Sequence, residues 1–338
     1  MNIFKCPKCS KTLNGFIPSK CECEYIVPVI NGVYQFTDDK PISVDGDGLK
    51  WLGYEFVGEN YEPGYVYDKD NEVGIGNSDE LAKYLGNDEI ILDLGAGLGG
   101  SSISFALSGL YAIAADISQT MLETAAKRAQ KHNVPNDKII FTRMNGYKLE
   151  LANNSIDVVL AMDVLHQVDQ PKLMMEEIKR VLKPDGFFLQ YGGGKSLSYT
   201  QEQEIANAKY NDAYKDIERF YDKLIDKSKY NKRPFSSGDI AANCVKENFE
   251  EFINIENSGI YGANNMEWTL KMGLHKLKTK ANGTRQLIPD KIHNKIWEKT
   301  DKYAKKKYGE NYENMTRYYN QTSGMILYKL RNNANKEE

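Results

Sequence analysis

The chain lacks the marks of a secreted, membrane-spanning or disulfide-built protein. Its N-terminus, Met1 to Pro7, has neither the basic start nor the apolar run of a signal peptide. Five cysteines in 338 residues fall far below the density of a disulfide miniprotein. The charge-free stretch 94–115 contains five glycines, which suits a strand, a turn and a buried helix better than a membrane-spanning helix. We therefore expect a soluble, cytoplasmic protein that does not contact a membrane.

An excess of charge of one sign is also absent. Lysine and arginine number 44 against 47 aspartates and glutamates, for a net charge of -3, so overall charge does not indicate a nucleic-acid-binding protein. Hydrophobic residues make up 41% and charged residues 27%, which excludes a wholly disordered or collagen-like chain. The length is typical of about two domains. The 22 tyrosines suit a substrate pocket and ordinary half-buried positions equally well.

Four of the five cysteines lie within the first 23 residues. Cys6 and Cys9 have the two-residue spacing of a zinc knuckle, whereas Cys21 and Cys23 are separated by one residue. Without an export signal, such a cluster favours a metal over disulfides. We expect a structural zinc ion on all four cysteines, with a three-ligand site or unligated thiols as alternatives. A catalytic zinc is not favoured, because four thiolates leave no open position for a substrate.

Alternating strand and helix patterns predict an α/β fold, a Rossmann-like doubly wound and mostly parallel sheet with a small N-terminal zinc ribbon and helical cap insertions. The predicted segments are a ribbon (1–36), an acidic aromatic linker or arm (37–80), the Rossmann-like core (81–194), a helical insertion (195–235), a core continuation (236–258), a basic helical cap insertion (259–321) and the last core strand (322–332). In open sheets of this type, ligands bind at the carboxyl ends of the strands.

The sharpest chemical signal is the glycine-rich segment Leu92 to Gly100, which follows a short apolar strand. Glycines at 95, 97 and 99 let the backbone turn tightly and approach a ligand closely. Asp116 ends the next predicted strand, about twenty residues later, where a carboxylate accepts both ribose hydroxyls of an adenosine ligand. The alternative for Asp116 alone is a helix-capping role. Together these features favour adenosine binding.

The order of four segments resembles the class I S-adenosylmethionine-dependent methyltransferases. The segments are Leu92 to Gly100, Ala114 to Ser118, Asn153 to Val159 and Arg180 to Phe188. The resemblance covers about 90–191 and implies a methyltransferase with S-adenosyl-L-methionine as its cofactor. The cofactor-binding residues that it implies are Asp93, Gly95, Ala96 and Gly97 at the methionine end, Asp116 at the ribose, and Ile117, Asn145, Gly146 and the Met162 backbone around the adenosine.

Asn145 departs from the pattern of the family, which usually has an aspartate at this position beside the adenine amino group. His166, just after the fourth predicted strand, is the candidate catalytic base, with a loop-capping role as the alternative. The N-terminal ribbon is similar to ribbons that precede many bacterial methyltransferase domains, among them zinc-containing ribosomal RNA guanine methyltransferases and small activators of methyltransferases.

The acceptor is less constrained than the donor. Between 268 and 309, twelve basic residues outnumber three acidic ones, which predicts either a solvated helix face or a surface for RNA, an acidic carrier or an anionic metabolite. We favour a small organic acceptor beneath the helical cap. The alternatives are an RNA base methyltransferase that uses the ribbon and the basic tract, and a non-catalytic module that binds S-adenosylmethionine and regulates a partner. The sequence makes no prediction of oligomeric state.

Overall fold

A computed structural model of the chain describes residues 2–40, 43–44, 50–51, 81, 83–86, 88–162, 164–165, 168–193, 195–226, 238–256, 263–280, 285, 288–322 and 324–331. In chain order, its strands and helices are β1 (Val29–Ile30), β2 (Val33–Gln35), β3 (Ser43–Val44), β4 (Lys50–Trp51), β5 (Ile90–Leu94), α1 (Gly100–Leu107), β6 (Tyr111–Asp116), α2 (Gln119–Lys131), β7 (Ile139–Arg143), β8 (Ile156–Leu160), α3 (Pro171–Val181), β9 (Leu182–Gly193), α4 (Gln201–Leu224), α5 (Gly238–Asn248), β10 (Phe249–Ile255), β11 (Ala263–Thr269), α6 (Leu270–Lys278), α7 (Asp290–Tyr308), β12 (Thr316–Gln321) and β13 (Gly324–Leu330).

A nine-stranded sheet forms the centre of the fold, in the order β1-β2-β7-β6-β5-β8-β9-β13-β10. The strands from β2 to β9 in that order are parallel, whereas β1, β13 and β10 each pair antiparallel with their neighbours. Parallel strands place their carboxyl ends at one edge, so the segments that follow β5, β6, β7 and β8 lie together. The predicted doubly wound, mostly parallel sheet is confirmed.

β5 is buried on both faces, which explains why all its residues except Asp93 are apolar. All five of its residues are buried. Ile90, Leu92 and Leu94 contribute to one apolar cluster, and Ile91 contributes to the cluster on the opposite face. Because successive side chains of a strand alternate between faces, Asp93 shares the face of Ile91, which α1 covers. A carboxylate is thereby placed under the glycine-rich turn.

The N-terminal ribbon is joined to the central sheet. Asn31 and Gly32 both have positive φ, of 48° and 82°, as the predicted tight hairpin between β1 and β2 requires. β2 then pairs in parallel with β7, with Val33 opposite Phe141. Phe4 is fully buried and belongs to the same apolar cluster as Leu92 of β5. The ribbon therefore shares its hydrophobic core with the sheet.

Most of the chain between β9 and β13, apart from α5 and β10, builds a helical cap at the carboxyl edge of the sheet. In this cap α4, α6 and α7 pack around their own apolar cluster, in which Tyr210, Leu274 and Ile296 are buried. The antiparallel pair of β11 and β12 contacts α4 and α6. The cap begins and ends beside the last residues of β9, where the Leu197 amide donates to the Asn320 carbonyl at 2.8 Å. The cap thus stands over the edge where ligands of such sheets bind.

Acidic residues of the cap itself pair with the basic tract. Arg285 bonds to Asp222 of α4 at 2.9 Å, and Lys307 bonds to Asp216 of the same helix at 2.8 Å. Lys302 and Lys305 of α7 pair within their own helix with Glu298 and Asp301. These contacts favour the solvated and internally paired interpretation of the tract. In the part of the chain that the structure describes, no helix combines the length and the apolar character needed to cross a membrane.

Candidate functional site

Three glycines shape the turn between β5 and α1. Gly95, Gly97 and Gly99 all have positive φ, between 52° and 77°, a region that residues with a side chain rarely adopt. A Cβ on Gly95 would lie 2.8 Å from the Val164 side chain, and one on Gly99 would lie 2.8 Å from the Cβ of Ala125. The turn therefore requires glycine for both its backbone conformation and its packing.

The end of β6 holds this turn in place. The amides of Gly95 and Ala96 donate to the Ala115 carbonyl at 2.8 and 3.1 Å. The Gly97 amide donates to Asp116 Oδ2 at 2.9 Å, and the Ser118 amide donates to Asp116 Oδ1 at 2.9 Å. One carboxylate thus connects the glycine turn to the start of α2. A carboxylate has about four acceptor sites, so such a group can accept several donors at once.

Asp93 is a buried carboxylate beneath the turn. Its side chain is 3% exposed, and Oδ2 accepts hydrogen bonds from the Ser102 amide at 3.1 Å and the Ser102 hydroxyl at 2.6 Å. Burial raises the pKa of Asp93 to about 6, against the bonds from Ser102, and the nearby Asp116 charge raises it further. No lysine or arginine among the described residues forms an ion pair with Asp93. At neutral pH Asp93 therefore adds a negative charge beneath the turn.

The end of β7 completes the pocket edge. The Met144 amide donates to the Asp116 carbonyl at 2.9 Å, and Arg143 Nε donates to the Ile117 carbonyl at 3.2 Å. Asn145 follows, and its side-chain oxygen accepts the Tyr147 amide at 2.9 Å. The structure thereby brings Asp116, Ile117 and Asn145 together at neighbouring strand ends.

Sequence reasoning missed Asp39, which lies shortly after β2. Asn145 Nδ2 donates to Asp39 Oδ2 at 2.7 Å, and Arg143 binds the Asp39 carbonyl. The hydrogen bonds from Asn145 and Thr37 hold the pKa of Asp39 below its ordinary value. In the sequence, Asp39 belongs to the acidic segment 37–80, which predicts a solvated linker or arm. Only the pairing of β2 with β7 shows that this carboxylate reaches the candidate adenosine site.

Gly146, Met162 and Ala96 are also placed by the structure. Gly146 lies close to α3, since a Cβ there would be 2.4 Å from Met174 Cε. Met162 is half-buried, and it packs, like Ala96 of the glycine turn, against the apolar cluster that contains Ile91 of β5. The candidate base His166 lies outside the described residues.

The four N-terminal cysteines form a compact cluster. Cys6 Sγ lies 3.7 Å from Cys23 Sγ, and Cys9 Sγ lies 3.5 Å from Cys21 Sγ. All four sulfurs lie within 4.8 Å of one another, and none forms a disulfide. The predicted cluster is confirmed, including the closely spaced Cys21 and Cys23.

Comparison with known proteins identifies the central segment. Residues 92–190 match the family described as "Methyltransferase domain". The chain is 38% identical over 98 residues to a demethylmenaquinone methyltransferase of Clavibacter sepedonicus, which covers 29% of this chain and 38% of that protein. It is 30% identical over 135 residues to the 27-O-demethylrifamycin SV methyltransferase of Amycolatopsis mediterranei, which covers 38% of this chain and 49% of that protein.

A third relative is the uncharacterized methyltransferase YcgJ of Bacillus subtilis, 30% identical over 99 residues, or 29% of this chain and 38% of that protein. Its crystal structure superposes on 75% of this chain and 98% of its own with a TM-score of 0.40 and 16% identity. In each of the three sequence alignments, the chain spans less than half the length of the relative. The resemblance to class I methyltransferases is confirmed for residues 92–190.

The Asp93 carboxylate gives the fold a specific pH dependence. Because its folded pKa of about 6 exceeds the ordinary value of 3.8, the folded state retains this proton between those values, and stability from this group is lost as pH rises through 6. The size of the effect is about 3 kcal/mol. Asp93→Asn keeps an oxygen that accepts both Ser102 bonds and removes the titration. The unfolding free energy of this variant, minus that of the wild type, should therefore increase by about 2 kcal/mol from pH 4 to 7, because the unfolded carboxyl is already partly ionised at pH 4.

Urea unfolding followed by circular dichroism at several pH values measures this difference. Asp137→Asn, which removes an exposed carboxylate, is the control variant. A difference in unfolding free energy for Asp93→Asn that does not change with pH would show that the buried carboxylate does not carry the charge cost.

Proposed function

We propose that this chain, which contains a methyltransferase domain over residues 92–190, transfers a methyl group from S-adenosyl-L-methionine to a small organic acceptor. One observation carries the proposal: a glycine turn bonded to the Asp116 carboxylate, with the buried Asp93 carboxylate beneath it. This donor has a positively charged sulfonium and an ammonium group. A site with negative charge and no basic partner at Asp93 suits such a ligand electrostatically.

The proposed roles at the donor follow from position. The backbone of Gly95, Ala96 and Gly97 holds the methionine end, and Asp93 supports it through its charge and its hold on the first turn of α1. Asp116, whose carboxylate holds the Gly97 and Ser118 amides, accepts the ribose hydroxyls.

At the adenine end, Ile117 packs on the ring, and Asn145, Gly146 and the Met162 backbone enclose it. Both polar ends of the Asn145 side chain already have partners, the Tyr147 amide and Asp39. We therefore assign the contact to the adenine amino group to Asp39 and Asn145 together. Asp39 supplies the carboxylate, and Asn145 fixes its position.

The donor supplies an already activated methyl group, and its transfer is an in-line displacement at carbon. The work left to the chain is alignment and exclusion of water. The glycine turn orients the donor, and the helical cap at the same sheet edge covers the acceptor. Where the acceptor must lose a proton, His166 is our candidate base, because in the sequence it follows the last residue of β8 by six positions.

Two findings favour a small acceptor. An RNA acceptor would have its phosphates bound by the basic side chains of the tract. Several of these side chains instead pair with acidic residues of the cap, among them Arg285 with Asp222 and Lys307 with Asp216. Two relatives are named for small organic molecules, demethylmenaquinone and 27-O-demethylrifamycin SV.

Labelled donor tests the proposed reaction. Purified protein is incubated with methyl-labelled S-adenosylmethionine and, in parallel, with fractionated small molecules and with total RNA from the source cell. We expect label in a small-molecule fraction, and its transfer should fall at least tenfold in Asp116→Asn, because a ribose contact to a charged group contributes about 1.5 to 3 kcal/mol. Asp137→Asn is the matched surface control. Label found only in RNA, or bound donor without transfer to any fraction, would contradict the proposal.

The cysteine cluster adds a structural zinc ion to the proposal. Four thiolates about 2.3 Å from a tetrahedral zinc are about 3.8 Å from one another. The distances of 3.7 Å between Cys6 and Cys23 and 3.5 Å between Cys9 and Cys21 fit that figure. The donor set is soft and complete, so the ion stabilises the ribbon and takes no part in the chemistry.

Metal content and stability test the zinc site. We expect about one zinc per chain in the purified protein by mass spectrometry, and less than one fifth of that in Cys23→Ser. Because β2 of the ribbon belongs to the central sheet, chelation should lower the unfolding temperature of the whole chain. Cys244→Ala changes a thiol outside the cluster and should retain the metal. A metal-free wild type prepared without a chelator would refute the site.

A further inference from the structure

Arg317 of β12 lies among aromatic rings inside the cap. Its guanidinium carbon is 3.9 Å from the ring centroid of Tyr319 and 5.4 Å from that of Tyr210. Trp268 is its cross-strand partner on β11 and meets Tyr319 edge-on. Two rings thus face the cation and the Trp268 ring supports one of them; we call Arg317 with these three aromatic residues the Arg317 box.

The hydrogen-bond donors of Arg317 are largely unused. Among the residues that the structure describes, the buried Nε has no hydrogen-bond partner, and Nη1 bonds only to Asn211 Oδ1, at 3.5 Å. No carboxylate among the described residues forms an ion pair with this guanidinium. Leaving a buried charged donor unsatisfied costs stability.

Arg285 of the same cap provides a contrast. Its guanidinium bonds to Glu218 and Asp222 at 3.3 and 2.9 Å, so its charge is neutralised within the protein. Arg285 therefore has carboxylate counter-ions within the cap, as expected for an arginine with a structural role. The Arg317 box contains no carboxylate among the described residues, and the aromatic rings around Arg317 are neutral.

The accessible side of Arg317 defines the ligand chemistry. A guanidinium is a planar fork of N–H donors that suits the oxygens of a carboxylate. Nη2, unlike Nε, is not among the buried atoms without a partner, so a ligand oxygen can reach it. The stacked ring of Tyr319 fixes the plane of that fork, and the ring walls suit an apolar or aromatic body beside the anion. Burial raises the pKa of Tyr210 and Tyr319, so both phenols are neutral and do not compete for the guanidinium.

We propose that the Arg317 box binds the carboxylate of an aromatic acid, and that this acid is the methyl acceptor. This inference rests on the proposed methyltransferase function and names the acceptor class for it. No covalent step occurs at Arg317, which orients the acceptor and selects for its charge.

The place of the box in the fold agrees with that role. α4 holds β12 through Asn207, whose side chain bonds to the Tyr318 amide at 2.6 Å and to its carbonyl at 3.2 Å. β12 leads directly into β13, which pairs with β9 at the carboxyl edge of the sheet. β9 is two strands from β5 in the central sheet.

Charge also sets the orientation of the acceptor. The carboxylates of Asp93 and Asp116 repel an anion from the donor site, whereas Arg317 attracts it to the cap. An aromatic acid is thereby held by its carboxylate at the far end, and its opposite end faces the glycine turn. Acceptor and donor occupy regions of opposite potential.

Equilibrium binding of probe ligands tests the inference. Benzoate and its neutral isostere benzamide are titrated into the protein saturated with S-adenosylhomocysteine, and binding is measured by calorimetry. The variants are Arg317→Gln, which removes the charge, and Arg317→Lys, which keeps the charge without the planar fork. Lys302→Gln, at an exposed lysine of α7, is the control for charge loss in the cap.

We expect benzoate to bind the wild type and Lys302→Gln equally. Benzamide should bind the wild type at least tenfold more weakly than benzoate. Arg317→Gln should lose at least tenfold in benzoate affinity, and Arg317→Lys should also bind benzoate more weakly than the wild type. Equal binding of benzoate and benzamide, undiminished benzoate binding by either Arg317 variant, or no benzoate binding by the wild type would overturn the inference.

Affinity for S-adenosylhomocysteine is measured in every variant and separates the two hypotheses. Retained affinity in the Arg317 variants shows that the donor site and the fold are intact. Absence of that affinity in the wild type would contradict the proposed function. Normal affinity without charge-selective benzoate binding would overturn only the role of the Arg317 box.

Discussion

The bond between the Gly97 amide and the Asp116 carboxylate is the contact on which the site depends. Through its two oxygens Asp116 fixes the glycine turn after β5 and the start of α2, and its backbone carbonyl receives the Met144 amide after β7. Three consecutive strand ends are thereby fixed by one residue. The turn itself tolerates only glycine at its positive-φ positions, so its shape and the position of the carboxylate are set together.

The N-terminal ribbon belongs to this arrangement. β2 extends the sheet beside β7, and the residues after it place Asp39 against Asn145. The cysteine cluster lies on the same segment. A metal at the proposed zinc site would therefore act through β2 on β7, the strand that Asn145 follows. The ribbon shares a strand and apolar packing with the sheet that carries the proposed donor site.

Local patterns made much of the site predictable. The apolar strand β5, the glycines after it and Asp116 are each visible in a short window, because backbone conformation and strand burial dictate residue type locally. Asp39 and Arg317 could not be found in this way. The importance of Asp39 depends on a parallel pairing between strands far apart in the sequence, and that of Arg317 depends on which rings and counter-ions the cap places around it. In the sequence, both residues are charged residues of the kind that usually lie on a solvated surface.

The most direct test of the central claim is calorimetric titration of the folded chain with S-adenosylhomocysteine, comparing the wild type with Asp116→Asn and with Asp137→Asn. The account predicts one site per chain in the wild type and in Asp137→Asn, and an affinity lower by about 10- to 100-fold in Asp116→Asn, where charge-assisted bonds to the ribose are lost. A wild type that takes up no ligand, or an Asp116→Asn variant that binds it as tightly as the wild type, would contradict the account.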